Sequence, residues 1–122
     1  MVATCASMGV FAARREGHPG CWCDGDGPRP RKIGALGVRI ERGVSYHGIA
    51  LNVHPDLRDF ELIDPCGMPG VESTSIAREA GWPIERPPGA GVLAGAATTF
   101  AGAFADLLGT TIAGELPAVV AG

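Results

Sequence analysis

Cys66 stands between Pro65 and Gly67, and Lys32 is the single lysine among ten lysine and arginine residues. Pro65 fixes the local backbone and Gly67 tolerates unusual dihedrals, so such a loop can present a thiol at a cleft. It can also aim backbone amides at a neighbouring oxyanion. A free thiol has a reference pKa of about 8.5, which leaves little thiolate at neutral pH. A lysine ammonium roughly 4 Å away, at an effective dielectric of about 20, favours the thiolate by up to ~4 kcal/mol, about three pKa units. The two together would form a nucleophile and its activating cation. A lysine can also carry protons when burial lowers its pKa, which arginine cannot do.

Each residue also has a plainer reading. A buried structural cysteine is commoner than a nucleophilic one, and lysines are usually solvated. His47 could serve as a general base or metal ligand, but a hydrogen-bonded strand histidine is the commoner case. His18, Cys21, Cys23 and His47 do not follow the spacing of a zinc ribbon or finger, so no metal site is expected. Gly34-x-x-Gly37 lacks the Lys-Ser/Thr and following helix of a phosphate loop.

The elements that must hold these groups can be read in outline. Val2, Cys5, Met8 (or Gly9) and Phe11 keep a loose helical spacing over residues 1–13, with no capping residue ahead of it. Gly17-His18-Pro19-Gly20 reads as a turn, Cys21-Trp22-Cys23 as a short strand, and Asp24 to Arg31 as a loop. Residues 32–41 and 44–53 read as a strand pair around Glu41-Arg42-Gly43. Ile33, Ala35 and Gly37 fall on one face, Leu36, Val38 and Ile40 on the other, so cover on both sides is expected. Gly34, Gly37 and Gly48 leave room for close approach to the backbone. Asp56 to Ile63 suggests one or two helical turns, and Asp64 to Gly67 a tight loop. Ser73-Thr74-Ser75 offers cap oxygens for a helix over 75–80, ending at Gly81 with Pro83 beyond. Leu93, Ala96, Ala97, Phe100, Phe104, Leu107 and Leu108 follow helical spacing. That helix is expected to pack on the core, since residues 89–105 are short, glycine-rich and weakly apolar for a membrane span. Domain organisation is expected to be one catalytic unit over 1–110 and an Ala/Gly-rich tail over 111–122, which should fray.

A net charge of -3 offers no basic patch, so no nucleic-acid role is expected. Apolar residues at 46% suffice for a core. Cys5, Cys21, Cys23 and Cys66 are not spaced as a disulfide framework. Cys21 and Cys23 should share a strand face without facing each other for bonding. No basic stretch leads into an apolar one at the start, so a reducing cytoplasm with free thiols is expected.

Taken in order, Lys32-Ile33-Gly34-Ala35-Leu36-Gly37-Val38-Arg39, Gly43-Val44-Ser45-Tyr46-His47-Gly48-Ile49-Ala50-Leu51-Asn52-Val53, Asp56-Leu57, Pro65-Cys66-Gly67 and Thr74-Ser75 resemble the octanoyltransferase family of lipoate biosynthesis. Weaker similarity extends back through Gly20-Cys21-Trp22-Cys23 and Gly9-Val10, and forward to about Gly81. The resemblance implies a mixed α/β fold of the biotin/lipoyl protein ligase type. It also implies that the Cys66 thiolate takes octanoyl from octanoyl-acyl carrier protein as a thioester. A lysine of a lipoyl domain of a 2-oxoacid dehydrogenase complex, or of the glycine cleavage H protein, then accepts it as an amide. No nucleotide or other cofactor is needed, since amide formation from a thioester is downhill. Lys32 matches the family lysine that activates the cysteine. Ala35, Leu36, Gly37, Gly48, Ile49 and Ala50 match positions lining the acyl site, where small and apolar residues suit an acyl chain.

One departure is marked. Family members carry an upstream Arg-Gly-Gly-x-x-Thr-x-His motif that helps build the acyl pocket, and no such segment occurs here. The expectation is therefore the C-terminal part of the domain, lacking its N-terminal half and the strands that would cover the hairpin. Two rivals follow: a lipoate- or biotin-protein ligase relative, which would require ATP, and a remnant that binds carrier domains without turnover.

Overall fold

Two apolar runs joined by a turn that demands positive φ dictate the hairpin at the centre of the sheet. Arg42 (φ 53°) and Gly43 (φ 79°) occupy the left-handed region, the geometry of a tight two-residue hairpin turn. They join β3 (Arg31–Glu41) to β4 (Val44–Leu51) in register from Gly34↔Leu51 to Glu41↔Val44. In the computed structural model, which describes residues 1–62, 70–83 and 89–114, β1 (Ala13–Arg15) and β2 (His18–Cys23) extend this sheet. Strand order is β1-β2-β3-β4, all neighbours antiparallel, and β5 (Glu72–Ser73) runs parallel to the start of β3. Helices α1 (Val2–Ser7), α2 (Ile76–Glu79) and α3 (Ala90–Leu108), with a 3-10 turn at Leu57–Leu62, complete a mixed α/β architecture.

The core lies at the base of the sheet, where Cys5, Val10, Cys21, Cys23, Ile33, Val53 and Ile76 pack together. Each large apolar side chain fully buried there contributes roughly 2 kcal/mol. The N-terminal helix is shorter than its spacing suggests. It ends at Ser7, Gly9 turns with φ 78°, and Phe11 is 88% exposed ahead of β1. The turn expected at residues 17–20 narrows to Glu16-Gly17, and β2 begins at His18. The α2 cap is as expected: the Ser75 hydroxyl accepts from Arg78 N at 3.2 Å, and Gly81 follows with φ 69°.

Two expectations about cover are corrected. Among the described residues nothing covers the outer half of the hairpin: Leu36 is 46% exposed, Val38 51% and Ile40 74%. Helix α3 meets the core along one edge only: Ala96 belongs to the core cluster and Val92 packs against it, but of the 18 residues Gly91–Leu108 only 11% are buried. That segment, of mean hydropathy 1.4, is long and apolar enough to cross a membrane by length and composition, a test that soluble proteins' helices also pass. By length and hydropathy, then, the segment is neither too short nor too weakly apolar for a span.

β4 has its outer edge free among the described strands and carries no charge or proline from Val44 to Leu51, the usual blockers of edge pairing. The weight-average mass in sedimentation is therefore expected to rise with protein concentration. Val38→Lys should suppress the rise by placing a charge on the apolar stripe. A concentration-independent mass would show that the stripe does not self-associate.

Candidate active site

Lys32 sits where three strands meet. It pairs with Trp22 of β2 on one side and stands in register with Ser73 of β5 on the other. Thr74 N donates to the Lys32 carbonyl at 2.9 Å, fixing the backbone at this residue. The side chain is buried, with 6% of the residue exposed, against the usual solvated fate of a lysine. Its Nζ lies 5.5 Å from the centre of the Trp22 ring.

A polar network holds the strand around it, and sequence reasoning did not find it. Arg31 donates from Nε to Glu79 Oε1 (2.8 Å) and from Nη2 to Oε2 (2.9 Å), a two-pronged ion pair. The Thr74 hydroxyl donates to the same Glu79 Oε1 at 2.6 Å, and Asn52 Nδ2 donates to the Thr74 carbonyl at 3.0 Å. Asn52 N in turn donates to the Ile33 carbonyl, and Ile76 N to the Asn52 carbonyl. The end of β4, the β5 turn and α2 are thereby tied to the two residues flanking Lys32. The Arg31 guanidinium holds the Glu79 carboxyl below the ordinary glutamate range, opposed by burial and helped by the Thr74 hydroxyl. The only sequence hint was a Thr-Ser pair ahead of a short helix, which signals a cap but not a partner 48 residues away.

The six expected acyl-lining residues come together as three directly opposed pairs: Ala35↔Ala50, Leu36↔Ile49 and Gly37↔Gly48. Strand alternation divides them between faces. Leu36 and Ile49 continue the face of Gly34, whose partner Cys21 lies in the core, whereas Ala35/Ala50 and Gly37/Gly48 fall on the opposite face, that of Trp22 and Lys32. A Cβ at Gly37 or Gly48 would meet nothing within 4 Å, so these glycines leave open space rather than a close contact. Gly34 does provide close approach: a Cβ there would lie 2.7 Å from Met1 Sδ and 3.2 Å from the Ala50 carbonyl.

His47 is not brought to Lys32. It faces Val38 in register, roughly 20 Å along the sheet, and its ring lies beside Tyr46 at 5.0 Å. Cys21 and Cys23 share the core face of β2, as their alternation predicts, with Trp22 on the other. An irregularity sets Cys21 opposite Gly34 and Trp22 opposite Lys32, so the extra residue, Ile33, lies in β3. Cys5, Cys21 and Cys23 are free and buried. The Cys5 thiol donates to Cys21, favouring thiolate at Cys21 and opposing it at Cys5. Burial pushes Cys23 up to about 11. No group of three or more potential metal ligands occurs among the described residues. A cavity of about 830 Å³ opens between residues 54–58 and 75–82, bordered by His54, Asp56, Ser75, Arg78 and Trp82. Cys66 and its Pro-Cys-Gly frame fall within residues 63–69, outside the described residues, as does the tail beyond residue 114.

Residues 1–88, which include Lys32, the network and the hairpin, match the model of the lipoyl protein ligase A/B catalytic domain. The chain belongs to that family. Similar curated proteins are named octanoyltransferases. That of Desulfovibrio desulfuricans is 49% identical over 83 residues, 68% of this chain and 33% of the relative. That of Mycobacterium sp. (strain KMS) is 48% identical over 82 residues, covering 66% and 34%. That of Bacteroides fragilis is 47% identical over 85 residues, covering 70% and 38%. The chain thus spans about a third of the length of the curated relatives it matches.

Proposed function

We propose that this chain carries the lysine–cysteine part of an octanoyltransferase active site, with Cys66 as nucleophile and Lys32 as its cationic partner. The observation that carries the reading is the burial of the sole lysine on a strand held between two others, inside the segment that matches the lipoyl protein ligase A/B catalytic domain. Buried lysines are rare unless they have work to do. The Cys66 thiolate attacks the thioester carbonyl of octanoyl-acyl carrier protein; the new C–S bond forms as the carrier's thiolate departs and takes the Lys32 ammonium proton, leaving the Lys32 amine. The ε-amine of a lipoyl-domain or H-protein lysine then attacks the acyl-enzyme. An amide forms, the Cys66 thiolate is released, and the ammonium proton passes to the Lys32 amine or to solvent. The small opposed pairs Ala35/Ala50 and Gly37/Gly48 lie on the Lys32 face and leave room there for the acyl chain. An open hairpin and a third of a relative's length also favour a second reading, a fragment that binds carrier domains without turnover.

Intact mass spectrometry after incubation with octanoyl-acyl carrier protein tests the proposal. One thioester-labile octanoyl adduct, discharged onto a lipoyl domain without ATP, is expected. No adduct on folded protein favours the binding fragment, and an absolute need for ATP favours the ligases. In the same assay Lys32→Arg should keep charge but lose proton transfer, slowing amide formation while leaving acylation intact. Full rate in both steps would make Lys32 an ordinary lysine.

A further inference from the structure

We propose that Trp22 is the positioning residue for the Lys32 ammonium, with Gly20 opening the slot through which the lysine stem passes; this deepens the reading of Lys32 given above. The ring itself is fixed. Trp22 is buried, its Nε1–H donates to the His18 carbonyl at 3.1 Å, and the His18 imidazole meets it edge-on with centroids 5.9 Å apart. The bulge where β3 runs against β2, with Ile33 as the extra residue, sets Trp22 opposite Lys32. An indole face attracts a cation electrostatically within about 6 Å, and Nζ stands 5.5 Å from the ring centre. The described residues offer no carboxylate ion-paired to Lys32 in its place.

Gly20 explains why the stem can lie there. Its φ of 123° is one that side-chain-bearing residues rarely adopt. A Cβ at that position would lie 2.9 Å from Lys32 Cε and 2.4 Å from the Gly34 carbonyl oxygen. Any side chain at residue 20 must therefore displace both the lysine stem and the β3 backbone. Ring, bulge and glycine gap together define one place for the amine.

Because Lys32 is the sole lysine, growth on [ε-13C]lysine gives a single side-chain resonance in the full chain. Its ε-CH2 protons are expected to be displaced upfield by the indole ring current. Trp22→Leu should return them to the position of a solvated lysine, while Trp22→Phe, which keeps an aromatic face, should hold part of the displacement. Gly20→Ala should move the resonance with the ring intact, which keeps the proposal testable if Trp22→Leu fails to fold. In octanoyl transfer Trp22→Leu should lower kcat about tenfold or more with little change in KM for the acyl donor, and Trp22→Phe should recover part of it. An undisplaced wild-type resonance, or one that Trp22→Phe and Gly20→Ala leave unmoved, overturns the proposal. So does a displaced resonance whose loss leaves transfer unchanged. If the wild-type resonance is displaced but no octanoyl is transferred, the positioning of Lys32 by Trp22 stands and the transferase reading fails.

Discussion

Replacing Cys66 by serine is expected to abolish the octanoyl adduct and to lower transfer by at least about a hundredfold, ~3 kcal/mol in barrier height. A thiol with a nearby cation reaches a useful thiolate fraction near neutral pH, whereas a serine hydroxyl without a dedicated base does not. The other three cysteines make this substitution unusually informative. Cys5, Cys21 and Cys23 are buried within the core. Although the Cys5 thiol favours thiolate at Cys21, that sulfur is closed to an acyl carrier. An adduct that persists in Cys66→Ser would have to reach one of these buried thiols, and peptide mapping would place it. That outcome would remove Cys66 from the mechanism.

The second large effect concerns stability. Glu79→Gln is expected to destabilise the fold by about 2 kcal/mol at neutral pH, because hydrogen bonds to charged groups are worth roughly 1.5–3 kcal/mol. Arg31 and Glu79 are only 20% and 17% exposed, so water compensates the loss poorly. The pH dependence has a definite sign. The folded carboxyl is held below its ordinary value, chiefly by Arg31, so the unfolded chain binds more protons through that window. The contribution is complete above the ordinary glutamate value of about 4.3 and is lost as pH falls through the folded value. Urea midpoints of the two proteins should therefore differ at pH 7 and converge in acid. Equal midpoints at pH 7 would show that the ion pair contributes nothing net, as many exposed pairs do.

What could be read from the sequence was local. The β3–β4 hairpin follows from two apolar runs and an Arg-Gly turn, the α2 cap from Ser75, and α3 from its spacing. Lys32 stood out by composition alone. Long-range placements were not legible. The bulge at Cys21/Trp22 is a property of two strands in register, and neither strand shows it alone. β5 is two residues long, too short for any periodicity, and exists because Thr74 finds the Lys32 carbonyl. Phe11 fitted a helical spacing, but the chain turns at Gly9 before that spacing can be used. The apolar hairpin faces suggested cover because alternation reports apolarity and says nothing of what supplies the second layer.

The burial of Lys32 bears on where an activated acyl group can go. Thioesters acylate accessible ε-amines without much help, and a protein that holds one beside its own surface lysines spends it on itself. Across these 122 residues the single ε-amine lies in a slot with 6% of its residue exposed. Every other basic side chain is an arginine or histidine, neither of which forms a stable amide under such conditions. The side chains of the segment are thus nearly inert toward the acyl group it is proposed to carry, and a primary amine presented by another protein meets little competition from the side chains around it.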